Sequence, residues 1–203
     1  MSGVAKPPWL DPEFPGLRPE VVAAWRGAPE HAIHEVIDGE LFTQPRPRRQ
    51  HLRASGELHG ELRGPFDRGV GGPGGWVILD EPELRVGELP DILVPDLAGW
   101  RRERIPEDFL AEDAPAFIAL PPDWVCEVLS PRTEASDRGG KMRIYRREGV
   151  AHVWLVDPLL KTLEVYRWER GLYTLVDTWE GDAPVRAEPF DAIALNLRAL
   201  WTL

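Results

Sequence analysis

The sequence predicts an α/β fold, a mixed β-sheet with helices packed on it. Short apolar runs rich in Val, Ile, Leu and Trp recur through residues 76–180, the pattern of buried strands. Two longer stretches, 46–63 and 133–149, read as helices set among them. That alternation favours a sheet covered by helices. With 203 residues, 43% of them hydrophobic and 29% charged, the chain can bury a sizeable core, and disorder over its whole length is excluded.

Residues 1–29 read as an irregular lead-in with one short helix at Pro19–Trp25, proline standing in its first turn. Residues 30–203 read as one domain. Ile33, Glu35 and Ile37 lead into Asp38-Gly39 and a second short run, which is a hairpin with a two-residue turn. Residues 46–63 read as a helix with Leu52, Leu58 and Leu62 near one face and Arg46, Arg48, Arg49 and Arg53 at its start. The stretch DRGVGGPGG (67–75) is a connection. It is no dinucleotide fingerprint, because no strand precedes it and Pro73 interrupts the glycines. Strand-like runs follow at 76–80, 83–86 and 91–100, then an Arg-rich loop, then a buried strand within PDWVCEVLSP (122–131). The helix over 133–149 places Met142 and Tyr145 on one face and ends at Gly149. Its Gly139-Gly140 pair costs about 1 kcal/mol per glycine relative to alanine. Runs at 150–158, 162–169 and 172–180 read as strands, the last two as an antiparallel hairpin, and AIALNLRALW as a short closing helix.

Composition narrows the function. No apolar run reaches membrane-spanning length, and the N-terminus lacks the apolar core of a secretory signal. The single cysteine, Cys126, excludes an internal disulfide framework and a cysteine-based zinc site, which points to a reducing cytoplasm. A net charge of −10 argues against indiscriminate coating of nucleic acid but leaves room for a local phosphate-contacting groove. His31 and His34 form H-x-x-H without the helical context or glutamate of a zinc protease. Nine tryptophans suggest an aromatic core.

Two acids stand in apolar strand runs: Asp96 in ILVPDLAGW and Glu127 in VCEVLSP. A carboxylate there is costly unless paired, hydrogen-bonded or bound to metal. Two such strands side by side would bring both to one point, and a hard cation such as Mg²⁺, or Mn²⁺ in its place, would relieve their repulsion. Lys141 is one of only three lysines and follows Glu127 by 14 residues, so its ammonium could reach back over the strand end. Carboxylates, a metal and a lysine form a phosphoester-hydrolysing set. The competing reading makes Asp96 a turn residue and leaves Lys141 on an exposed helix face.

The run PDWVCEVLSPRTEASDRGGKMRIYRREGVAHVWLVDP is similar to the core of the Uma-two family of restriction-endonuclease-like proteins. The matching residues are Asp123, Glu127-Val128-Leu129-Ser130-Pro131, Asp137, Lys141, Tyr145, Gly149-Val150, Trp154 and Asp157-Pro158, in order. Upstream, HEVIDGEL (34–41) and LVPDLAGWRRER (93–104) resemble the family's opening and its Pro-Asp strand, and the resemblance spans roughly residues 30–200. It implies a restriction-endonuclease-like, PD-(D/E)XK fold: a mixed β-sheet flanked by helices. It also implies a Mg²⁺-dependent endonuclease acting on DNA. Asp96 and Glu127 would hold the metal, helped by the Val128 carbonyl, with Lys141 orienting or activating the attacking water. The superfamily's usual lysine would stand two residues after Glu127, where this chain has Leu129. The resemblance assigns the role to Lys141 on the following helix.

Other residues compete for parts of the site. Asp91 also lies in a Pro-Asp pair, Glu83 could face the site from a neighbouring strand, and Glu35 in the opening motif could add an acid. Asp137 reads as a helix N-terminal residue favoured by the helix dipole. Tyr145 reads as packing or lysine support, Ser130 as a turn cap and Cys126 as a buried small hydrophobe. Between 130 and 150 there are six bases and three acids, and Arg101, Arg102 and Arg104 follow the Asp96 strand. Such local basicity suits a phosphate-backbone binder. Two other functions compete: a catalytically inactive nuclease-fold module binding nucleic acid or a protein, and a homodimer-forming structural protein.

Overall fold

The computed structural model describes residues 13–88 and 90–202; the start of the expected lead-in, residues 1–12, lies outside the described residues. Pro19 opens helix α1 (Pro19–Gly27). Its Val21 and Val22 pack with Phe14 and Leu17 against Val36 and Ile92. Strands β1 (Ile33–Ile37) and β2 (Glu40–Gln44) form the expected hairpin. Asp38 and Gly39 both take positive φ, 52° and 75°, as a type I′ turn requires. Helix α2 (Arg49–Leu62) buries Ala54, Leu58 and Leu62 and then widens into a π-helical turn, Arg63–Asp67. Leu52, expected on the buried face, is exposed. Stepping back from Leu58 at helical period reaches 54 and 51 rather than 52.

The chain continues through β3 (Trp76–Asp80), β4 (Leu84–Val86), β5 (Asp91–Leu93), β6 (Leu97–Arg101) and β7 (Trp124–Val128). The expected helix over 133–149 is three joined pieces. These are α3 (Glu134–Ser136), a π-helical turn at Asp137–Lys141, and α4 (Met142–Arg147). Strand β8 (His152–Asp157) and the hairpin β9 (Thr162–Glu169) and β10 (Leu172–Glu180) follow. Two-residue strands β11 (Pro184–Val185) and β12 (Leu195–Asn196) precede helix α5 (Leu197–Trp201).

The strands form two larger sheets and a two-stranded ribbon. A six-stranded sheet runs β10-β9-β8-β7-β6-β3, and a four-stranded sheet runs β2-β1-β5-β4. In the larger one β7 and β8 are parallel and the other pairs antiparallel. The α3–α4 segment supplies the crossover that a parallel pair needs. The mixed sheet flanked by helices is as expected; the second sheet is not. It arises because the run 91–100 is two strands. Pro95 has no N–H for a ladder, and the Val94 N–H goes to Glu35 Oε1 at 2.9 Å. Residues 91–93 therefore pair in the small sheet and 97–101 in the large one.

Side-chain alternation gives the large sheet two buried faces. One carries Ile78, Leu97, Cys126, Val156 and Val165 against α2 and α5. It includes the predicted aromatic cluster, with Phe190 ring centroids 4.7–5.6 Å from Phe66, Trp76, Trp124 and Trp154. The other face carries Ala98, Val125, Val153 and Leu155 against Ile144 and Tyr145 of α4 and Ile37 and Leu93 of the small sheet. Cys126 is buried on the first face, as expected. Glu127 follows it, so it turns toward α4 and the small sheet.

Candidate functional site

Four charged side chains meet in that second layer: Glu35 of β1, Glu127 of β7, and Asp137 and Lys141 of the π-helical turn, each no more than 3% exposed. Lys141 Nζ lies 2.9 Å from Glu35 Oε1, 3.2 Å from Glu127 Oε1 and 3.2 Å from Asp137 Oδ1. Tyr145 donates its hydroxyl to Glu127 Oε1 at 2.5 Å. Glu35 is held from three sides: besides Lys141, its Oε1 accepts the Val94 N–H and its Oε2 accepts Gln44 Nε2 at 2.9 Å. The small sheet thus supplies one acid and the large sheet another, and the lysine sits between them.

The π-helical turn makes this convergence possible. It seats Asp137 and Lys141, four residues apart, both inward. Such wide turns recur at functional sites. Gly140 lets the turn approach β1, because a Cβ there would stand 2.6 Å from Ile37 Cγ2. Nothing comparable requires Gly139. Gly140→Ala is expected to cost about 1–3 kcal/mol through overpacking, measured by urea unfolding. Gly139→Ala should instead be neutral or slightly stabilising.

Asp96 stands at the entry to β6, beside the end of β7. Its Oδ2 accepts the Val128 N–H at 2.6 Å, and its Oδ1 lies 3.1 Å from His51 Nε2. Val128, expected to contribute its carbonyl, thus meets Asp96 through its N–H. Burial pulls the His51 pKa down, but the Asp96 carboxylate outweighs it and the net shift is upward.

The electrostatics follow from burial. Desolvation, together with the carboxylates of Asp137, Asp96 and Glu35, pushes Glu127 well above the usual glutamate range against the pull of Lys141. Asp137 is raised for the same leading reason. Burial alone would lower Lys141, yet Glu127, Glu35 and Asp137 together hold it well above its ordinary value. Burial also raises the Tyr145 phenol, reinforced by Glu127. One ammonium faces three acids, an arrangement that opposes full ionisation of Glu127 and Asp137.

Of the residues expected from sequence, Glu127, Lys141 and Glu35 come into one cluster, and Asp96 reaches it through Val128. Glu83 and Asp91 do not join. Glu83 pairs with Arg85 at 2.7 Å. Asp91 is buried, but its carboxylate accepts the Asp38 N–H at 2.7 Å and pairs with Arg147 at 2.8 Å. Asp137 is corrected from a helix-terminal acid to a buried member of the cluster; its i,i+4 spacing to Lys141 was the available signal. His51 went unmarked, although helical period places it on the buried face of α2 with Ala54 and Leu58. Tyr145 supports Glu127 rather than the lysine. Ser130 caps its turn as expected, with Oγ 3.3 Å from the Thr133 N–H.

The expected basic surface is largely neutralised. Arg138 pairs with Glu164 at 2.6 Å, Arg143 with Asp38 at 2.6 Å and Arg147 with Asp91. Arg102 pairs with Asp67 and Arg104 with Asp123. His34 bonds to Thr43 and the Pro29 carbonyl.

Among the described residues, no three Asp, Glu, His or Cys side chains already converge as a ligand set. The donors nonetheless suit a hard divalent cation chemically. All are carboxylate oxygens, and they outnumber the nearby positive charge of Lys141.

A family model described as "Uma2: Putative restriction endonuclease" matches residues 20–198. The "Uncharacterized protein slr1290" of Synechocystis sp. (strain ATCC 27184 / PCC 6803 / Kazusa) is 27% identical over 143 residues, 70% of this chain and 69% of that one. The fold is similar to a crystal structure from Anabaena variabilis ATCC 29413, described as a putative nuclease belonging to DUF820. That likeness has a TM-score of 0.69 at 22% identity and covers 89% of this chain and 97% of the other. With an acid at the end of each of two neighbouring strands, a lysine on the crossover between β7 and β8, and a match over most of its length, the chain belongs to the Uma2 family.

Proposed function

We propose that the protein is a divalent-cation-dependent nuclease that hydrolyses phosphodiester bonds of DNA. The observation that supports this reading is Asp96 bonded to the backbone N–H of Val128, next to Glu127 on the neighbouring strand, with Lys141 against Glu127. Membership of the Uma2 family supports it. Asp96 and Glu127 would hold Mg²⁺ or Mn²⁺, with the Val128 carbonyl beside them. Such an ion polarises a phosphoryl oxygen and lowers the pKa of bound water.

The chain's own groups have separable tasks. Lys141 stays an ammonium at neutral pH, so it has no lone pair with which to take a proton from water. It orients the acids and offsets negative charge. Tyr145 and Glu35 fix Glu127 and Lys141 in place. His51 and the Val128 N–H fix both oxygens of Asp96. A second reading, a nuclease-fold module without catalysis, is favoured by the burial of Lys141 among three carboxylates.

Calorimetry and cleavage separate the two. Mg²⁺ or Mn²⁺ is expected to bind the purified protein and support nicking of supercoiled plasmid, with EDTA stopping it and Glu127→Gln removing both binding and nicking. Absence of cation binding that depends on Glu127 would favour the inactive module.

A further inference from the structure

The approach to α2 carries charge that the cluster does not use. Arg46, Arg48 and Arg49 are exposed and have no ion pair among the described residues. This contrasts with the carboxylate-bound Arg102, Arg104, Arg138, Arg143 and Arg147. Arg49 also lines a cleft of about 460 Å³, together with Leu52, Arg53, Pro158, Leu200 and Trp201. Leu52 on its wall is 53% exposed, and Leu160 in the adjoining turn is 71% exposed.

Two elements, α2 and β8, run from the cleft to the candidate site. Leu52 follows His51, which pairs with Asp96. Pro158 follows β8, whose Val156 lies opposite Val128 in the sheet. An occupant must be apolar and flat enough to lie against Trp201 and Leu52, and anionic where it meets the arginines. It must also continue toward Asp96. A nucleotide has that combination. In a duplex each base is stacked on both faces and paired at its edge, so only an unpaired base can enter.

We propose that this cleft binds an unpaired nucleobase of single-stranded DNA, with Arg46, Arg48 and Arg49 on the flanking phosphates. The proposal rests on the nuclease reading for the strand's path toward Asp96. It makes single strands, or the frayed ends of duplexes, the preferred ligand.

The test is fluorescence anisotropy of labelled oligothymidylate and of a blunt duplex of equal length, in EDTA so that no cleavage occurs. The single strand is expected to bind about tenfold or more tightly than the duplex. Trp201→Ala should weaken single-strand binding about five- to a hundredfold, while Trp201→Phe, which keeps a ring but equally loses the Nε1 bond to Asp182, stays near wild type. Leu52→Glu, at an exposed position that does not tax the fold, should weaken it similarly. Arg48→Gln with Arg49→Gln should reduce the slope of log K against log salt by about 1.4. Equal binding of single strand and duplex, or unchanged oligothymidylate binding by Trp201→Ala and Leu52→Glu, overturns the proposal. So does a Leu52→Glu protein that turns from dimer to monomer in sedimentation with its oligothymidylate binding intact, since the cleft would then be a face for a second copy. Oligothymidylate binding that depends on Trp201, in a protein that cleaves nothing with Mg²⁺, supports the cleft and overturns the nuclease reading alone.

Discussion

Lys141→Met is expected to lower stability by about 3–5 kcal/mol near neutral pH, because it leaves three buried acids without their cation. The loss should grow with pH. Glu127 already has a raised pKa in the folded state, so it holds its proton more tightly there than in the unfolded chain. Stability from such a group is present at low pH and falls as pH rises from the ordinary glutamate range through the folded value. Lys141 opposes that rise, and removing it extends the window upward. Urea unfolding at about pH 5 and about pH 8 should therefore show a larger deficit at the higher pH. A deficit independent of pH would mean that the carboxylates do not retain a proton. The same variant should lose cleavage by about a hundredfold or more. Sequence alone placed Lys141 on the helix after Glu127; its burial among three acids is what ties it to stability.

Asp96→Asn should separate activity from folding. The asparagine carbonyl can still accept the Val128 N–H, so stability should change by no more than about 1 kcal/mol. Cleavage should fall by more than about a hundredfold, beyond the usual effect of losing a group that merely supports a metal ligand. Plasmid nicking with Mg²⁺ and urea unfolding on the same preparation check both halves. Retained nicking would remove Asp96 from the site. Lys141→Met and Asp96→Asn thus have opposite signatures, one acting mainly through stability and the other mainly through chemistry.

The contrast follows from where each residue sits. Among the described residues Lys141 is the one cation among three buried carboxylates, and its pairs cross two sheets and a helical turn. Asp96 lies at a strand end and is tied by one backbone N–H and one imidazole. Its loss of charge removes a repulsive neighbour from Glu127 rather than a partner.

Much was legible from local pattern. Asp38-Gly39 specified its hairpin because few residue pairs accept positive φ twice. The alternation of Cys126 and Glu127 assigned one to the apolar face and the other to the site side. The ordered match that includes Glu127, Lys141 and Tyr145 identified the family. What local pattern could not carry was pairing between distant segments. The four-stranded sheet, which brings Glu35 to Lys141, depends on the break at Pro95 and on β1 finding β5. The inward turn of Asp137 depends on a π-helical widening that its neighbours allow only because Gly140 can touch Ile37. The pairing of most arginines near the site with acids as far away as Asp38 and Glu164 depends on packing of whole elements. Sequence determines which side chains a short stretch presents to each of its faces, because backbone periodicity is local. Tertiary structure decides which faces meet, and so which buried charges are neutralised and which surface charges stay free.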